Sequence, residues 1–311
     1  MNHFFSQTEA LPERDSLLTA KSYFSDQKSS GLIEKPIDAA RTAILVLGGG
    51  LPCTAYTLEN GISNAISLTE FSSLNNGVGS FRAIKLPDVA GRLTWLALES
   101  QKKDNLSIGN DGDWKKQLDQ WKQDRFCGLV EIISTTVHGF AFFWQGEIQK
   151  SEIIFSTPQG FTSESPQIES SADSLWEVTT YVHPPSTQAY RCAMLRQGAV
   201  DWGHHILSRY REMVGQKLLQ LMDRELNRQI QPWQWNIQLE GNVMADSHFF
   251  ASLNDATHAY RSLFMAMGVQ MNFVIGNMLT QRLLNETFAL IHPDERAILQ
   301  SERLIPAAFS E

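Results

Sequence analysis

Lys28-Ser29-Ser30-Gly31-Leu32-Ile33-Glu34 and Arg125-Phe126-Cys127-Gly128-Leu129-Val130-Glu131 are the stretches on which the architecture turns. Ahead of the first, Leu17 and Phe24 stand seven apart; ahead of the second, Trp114 and Trp121 do the same. Large apolar residues at that spacing mark one face of a short helix, and Gly-Leu-(Ile/Val)-Glu then opens an extended segment. Both passages read as helix, turn, strand. Further on, Ala55-Tyr56-Thr57-Leu58-Glu59-Asn60-Gly61-Ile62 parallels Ala141-Phe142-Phe143-Trp144-Gln145-Gly146-Glu147-Ile148 with a one-residue shift at the glycine, and strand, glycine turn, strand fits both. We read an internal repeat over about 17–66 and 114–155, within an N-terminal domain of 1–157. Short β-rich passages also match by chance, so the repeat is an expectation for the structure to decide.

Between the copies, Phe81 to Leu86 reads as a strand, and Pro87-Asp88 opens a helix through Leu93, Leu96 and Leu98. The polar, glycine-containing stretch from Gln101 to Asp113 reads as a surface loop, and 158–174, rich in Pro, Gly, Ser and acids, as the linker to a second domain of 175–311. There, Leu175–Val182 and Tyr190–Leu195 read as strands. A long helix follows from Asp201, with Ile206, Tyr210, Val214, Leu218, Met222, Leu226 and Ile230 at every fourth position, until Pro232 stops it. Trp233, Trp235, Ile237 and Leu239 then alternate with polar residues, the pattern of a half-buried strand. From Asn254 to Ile291 the pattern is helical, and Tyr260, Phe264, Met267, Met271, Val274 and Met278 form a seam against another helix, in the same chain or in a second copy. His292-Pro293-Asp294-Glu295 opens a last short helix. The fold class expected is α+β: tandem β-rich modules, then a mainly α-helical C-terminal region containing at least one strand.

With 311 residues, 42% of them hydrophobic, the chain buries enough for two domains. Its net charge of −8 with scattered Lys and Arg leaves no footprint for a phosphate backbone, so nucleic acid is not expected as a partner. No basic segment followed by an apolar run opens the chain, which points to a cytoplasmic protein. Cys53, Cys127 and Cys192 are odd in number and far apart, as reduced thiols would be. Ser262 to Gln281 carries no charge and is long enough to span a bilayer, but Gln270, Asn277 and Gln281 recur at helical spacing. Hydrocarbon penalises such a stripe, so no integral membrane segment is expected.

No motif carries chemistry. Gly48-Gly49-Gly50 follows an apolar run, but Cys53 stands where a dinucleotide loop needs its third glycine, so a turn between strands is the better reading. Asn110-Asp111-Gly112-Asp113 lacks the spacing of a calcium loop, and Asp113 suffices as a helix cap. His204 and His205 are neighbours on a helix, about 100° apart, and cannot chelate one metal as an i, i+4 pair can. No cofactor or metal is expected. Asp201, His204, His205 and Arg209 remain the candidates for a small-ligand pocket at a helix start, where the dipole would hold an anion. Trp233, Trp235, Tyr260, Met267 and Met271 are the candidates for an interaction surface.

The passage from Leu86-Pro87-Asp88 through Leu98, with Phe126–Glu131 and Phe142–Ile148, is similar to the PATAN-type modules of bacterial, often cyanobacterial, signalling proteins. The likeness spans roughly 86–155, with a second copy at 17–66. It implies a non-catalytic regulatory or adaptor protein working by protein–protein interaction. No receiver domain with its phosphorylatable Asp is present, and the second half of the chain matches no such module. The function expected is therefore binding of another protein, with a homo-oligomer left open by the seam; the alternative is a small-ligand protein or enzyme using Asp201, His204, His205 and Arg209.

Overall fold

The computed structural model describes residues 16–74, 80–164 and 175–304, and the chain divides into Met1–Ala189 and Tyr190–Glu311. In the first unit, Ser16 caps a helix, α1 (Leu17–Gln27), which buries Leu17, Ala20 and Phe24. Then come β1 (Ser30–Pro36), β2 (Arg41–Gly48), β3 (Leu51–Glu59), β4 (Ile62–Ile66), α2 (Leu68–Ser73), β5 (Arg82–Leu86) and α3 (Asp88–Leu98). The strands form an antiparallel sheet in the order β4-β3-β2-β1-β5. After β6 (Gln101–Ile108) the series recurs as α4 (Asp111–Gln123), β7 (Gly128–Ile133), β8 (His138–Trp144), β9 (Glu147–Thr157), β10 (Gly160–Thr162) and β11 (Trp176–Val182). The second sheet runs β10-β9-β8-β7-β11, the same order, with β6 added outside β11.

The likeness extends to individual backbone atoms. Lys28 and Arg125 end their helices in the left-handed region at φ 48° and 49°, and the next amides, Ser29 and Phe126, donate to Phe24 O at 3.0 Å and Trp121 O at 2.9 Å. Gly31 lies so close to β5 that a Cβ would stand 2.2 Å from Ile84 O, and Gly128 repeats this at 2.6 Å from Tyr181 O. The β2–β3 turn, Gly49-Gly50, matches the β8–β9 turn, Gln145-Gly146: Gly50 N donates to Ser29 O and Gly146 N to Phe126 O, both at 2.8 Å. Ser30 Oγ accepts from Gly49 N at 3.0 Å, and Cys127 Sγ accepts from Gln145 N at 3.2 Å. The counterpart of Gly146 is thus Gly50, and not Gly61 as the sequence alignment had it.

Each sheet buries one face under its own helix. Phe24 of α1 joins Ile33, Leu45 and Ala83, while Trp114 and Trp121 of α4 join Val130, Phe143 and Val178. The opposite faces share α3, buried from Ala90 to Leu98 and packed on β1, β2 and β5 as well as β7, β8 and β9. A helix apolar all round requires such a position. Its one cation, Arg92, forms a buried pair with Glu152 of β9 at 2.9 Å and donates to Ser151 O at 2.8 Å.

The second unit contains most of α5 (Gln188–Val214), then α6 (Gln216–Ile230), a hairpin of β12 (Ile237–Glu240) and β13 (Val243–Asp246), α7 (Leu253–Ile275), α8 (Asn277–Leu290) and α9 (Pro293–Ser301). Trp202 centres its core, 4.5 Å from Phe264 and 5.2 Å from Phe288 between ring centroids, its indole N–H bonded to Thr287. The architecture is α+β, β-rich in the first unit and mainly helical in the second.

Several local readings change. Gln101–Ile108 is an edge strand where a loop was expected, and Asn110, not Asp113, caps α4, its side chain accepting from Asp113 N at 3.0 Å. Tyr190–Leu195 is helical, and Trp176–Val182 belongs to the first unit's sheet, so the division falls inside α5 and not at 158–174. The long helix expected from Asp201 breaks at Gly215, and the one from Asn254 at Gly276, with φ of 80° and 79°. The strand expected from Trp233 begins at Ile237, because Trp233 ends a 3-10 turn and Gln234 is left-handed. Among the described residues no helix is long and apolar enough to cross a membrane.

Candidate functional site

Helix α7 starts at Ser252, whose side chain accepts from Asp255 N, and runs to Gly276. One face carries Tyr260, Phe264, Met267 and Met271, all at most 1% exposed, in the core of the second unit. These are four of the six seam residues, so Tyr260, Met267 and Met271 are not available to a partner, whereas the other two, Val274 and Met278, are exposed. The helix is apolar on a second face too. Met265, Val269 and Phe273, four apart, are 52%, 65% and 91% exposed. Past Gly276, where α8 begins, Met278 (83%) and Leu279 are exposed, as are Phe273 and Val274 just before it in the chain. Nothing ionic interrupts this surface between Ser262 and Gln281. A contiguous apolar patch of this kind is the ordinary mark of a protein contact.

Trp233 is 45% exposed and Trp235 half-buried; they do not share a strand face but pack on each other at 4.5 Å, and Trp235 continues inward to Phe250. Beside them lies a cleft of about 540 Å³ lined by Asn227, Arg228, Gln231, Trp235, Ile237 and Glu240. Its floor is not a free strand edge. The Asn227 amide accepts from Leu239 N at 3.0 Å and donates to Leu239 O at 2.8 Å, closing the edge of β12 as a neighbouring strand would. A second cleft, about 580 Å³, lies on the first unit between α4 and β9, where the Lys122–Glu147 ion pair spans 2.5 Å.

The Asp201, His204, His205 and Arg209 group is not at a helix start, since α5 begins at Gln188. Asp201 accepts from Gln197, His204 Nε2 bonds Met244 O at 3.1 Å, and Arg209 pairs with Glu212 in solvent. None of the four lines either cleft.

Sequence reasoning missed a buried polar cluster in the first unit. His138 Nε2 donates to Glu131 Oε1 at 2.9 Å, and Tyr181 Oη donates to Glu131 Oε2; all three side chains are essentially inaccessible. Burial pushes the Glu131 carboxyl up, but the bonds from His138 and Tyr181 outweigh it and hold the group below its ordinary value. Burial and the adjacent carboxylate push the Tyr181 phenol far up. Nearby in sequence, burial pushes His183 down to about 4. Glu131 in β7 and His138 in β8 sit within strand runs too apolar for a titratable group to pass unnoticed, and that interruption was the available signal. Neither cleft includes these residues, and the hydrogen-bonded cluster ties β7, β8 and β11 together inside the sheet.

Among the described residues no three His, Cys, Asp or Glu side chains are grouped to hold a metal ion. Comparison with known proteins gives no match to any family model, curated protein or solved structure.

Proposed function

We propose that the protein is a non-catalytic regulatory or adaptor protein that works by protein–protein contact, docking through the α7–α8 surface of its helical unit. The observation that carries this reading is the exposed, uncharged run around Phe273 and Met278. Left in water, side chains of this size cost about 1.5–3 kcal/mol each relative to full burial, so a partner that covers several of them gains affinity from the hydrophobic effect alone. The resemblance of 86–155 to bacterial signalling modules favours a regulatory role in the cytoplasm over a structural one. The rival reading, a ligand pocket at Asp201, His204, His205 and Arg209, draws no support from their placement along α5.

The test is retention by the tagged full chain in native lysate, compared between wild type and Phe273→Asp, with untagged copies of the chain counted among the retained proteins. At least one chain retained by the wild type is expected to be lost from the variant. Identical retention by both overturns the proposal.

A further inference from the structure

We infer that the α7–α8 surface is covered by a second copy of this chain, docked about a two-fold axis that passes near Val269. The inference rests on the reading of that surface as a docking face and names its occupant. Three features of the patch select a copy of itself.

The first is symmetry. Met265, Val269 and Phe273 are evenly spaced, so Val269 is the midpoint of the stripe. When two such helices cross antiparallel at Val269, each Val269 meets its own mate, and each Met265 meets the partner's Phe273. An isologous interface requires this self-complementarity of one patch, whereas an unrelated partner places no such condition on it. Continuing toward the N-terminus at the same spacing, the next residue is Arg261, half-buried and donating to Glu302 O at 2.9 Å, with the half-buried Ser262 beside it; Ser262 is small enough to admit the Met278–Leu279 shoulder of the other copy.

The second is charge. The chain carries −8 overall, and two copies meeting through a charged face would bring like charges together. The stripe avoids this because no ionic side chain occurs from Ser262 to Gln281; the ions that bound it are Arg261, which donates to Glu302 O at 2.9 Å, and Arg282, paired with Glu286 at 2.7 Å. Like-charge juxtaposition at an interface costs several kcal/mol, so a neutral face suits self-association of an acidic protein.

The third is area. Met265, Val269, Phe273, Val274, Met278 and Leu279, at their observed exposures, present on the order of 700 Å² of apolar surface, close to the ~800 Å² per partner of a standard-size interface. A smaller patch would support only a transient encounter. Gly276, at φ 79° with nothing near its Cβ position, separates α7 from α8, and Met278 and Leu279 follow it as exposed residues of the next helix.

Light scattering on the size-exclusion eluate of the full chain, loaded at about 100 µM so that a micromolar dimer stays associated, is expected to give twice 35.1 kDa. Val269→Asp places two carboxylates face to face at the axis and is expected to give the single-chain mass, with the circular dichroism spectrum unchanged because Val269 is exposed in the single chain, and with a thermal midpoint that no longer rises with chain concentration. Phe273→Asp is the second variant and is expected to behave alike. A wild-type protein of single-chain mass at this load overturns the inference, as does a dimer that survives both substitutions. If the wild type is a single chain yet retains a different protein that Phe273→Asp loses, the second copy is excluded while the docking face stands. If the two variants retain the same proteins as the wild type, the docking face itself falls.

Discussion

Met271→Asp is expected to unfold the helical unit, whereas Phe273→Asp, two residues on, leaves it folded. Met271 is fully buried in the core of the second unit, while Phe273 is 91% exposed. A carboxylate at 271 has no cation among its core neighbours, and it either stays charged at a large desolvation cost or takes up a proton and still buries a polar group. The loss of the methionine's packing adds about 2–5 kcal/mol. Together these approach the 5–15 kcal/mol that typically holds a domain. A surface change at 273 alters the stability of the single chain by only about 0.5 kcal/mol, since Phe273 has no contact within its own chain to lose. Urea denaturation followed by circular dichroism separates the two. Equal effects, in either direction, would mean that the faces of α7 have been assigned wrongly.

The second large effect is expected from Asp246→Ala. Asp246, 2% exposed at the end of β13, accepts from Arg196 Nε at 3.2 Å, from Tyr260 Oη and from His248 N at 2.8 Å. Arg196 also donates to His248 O at 2.5 Å, so the pair ties α5 to the hairpin and to α7. Removing the carboxylate takes the Asp246 counter-charge away from a guanidinium only 5% exposed, which costs about 3–5 kcal/mol. Replacing both partners by apolar residues of similar volume, Arg196→Met with Asp246→Leu, is expected to recover much of the loss, because the penalty comes from the orphaned charge and not from the missing attraction. Urea midpoints of the single and double variants measure both. A loss below about 1 kcal/mol for Asp246→Ala would show that the network does not hold the unit together.

The duplication was legible because the residues that fix it are constrained twice. Gly31 and Gly128 have backbone oxygens where a Cβ would stand, and an aromatic ring lies over each, Phe24 over Gly31 and Phe126 over Gly128. The register of the second half was not legible. Gln145-Gly146 was matched to Asn60-Gly61 because both are a polar residue followed by glycine at a hairpin turn, while the true counterpart lay hidden in Gly48-Gly49-Gly50. Strand β6 escaped notice for another reason. It is an edge strand exposed along most of its length, so Gln101 to Asn105 show no alternation between buried and solvent faces. Gly215 shifts the helical phase, which is why Leu219 is buried where the four-residue count had put Leu218.

The site was half legible. The seam was read through Tyr260, Phe264, Met267, Met271, Val274 and Met278; the first four form the internal face and the last two are exposed, and periodicity alone does not say which of two apolar faces turns inward. The available signal was the excess. Between Ser262 and Gln281 the helix carries more apolar residues than one core-facing stripe needs, and a surface helix normally sets charges opposite its buried face. Met265, Val269 and Phe273 occupy that opposite face.

The protein's own methionines provide the most direct test of the central claim, that α7 and α8 present an apolar docking face to solvent. Brief peroxide oxidation of the dilute full chain, read by peptide mass spectrometry, is predicted to convert Met265 and Met278 to sulfoxide quickly. Met222, Met244, Met267 and Met271, all at most 4% exposed, stay unmodified. Raising the chain concentration is predicted to slow oxidation of Met265 and Met278 alone. The account is contradicted if Met267 and Met271 react as fast as Met265 and Met278, or if all six methionines are protected even at the lowest concentration.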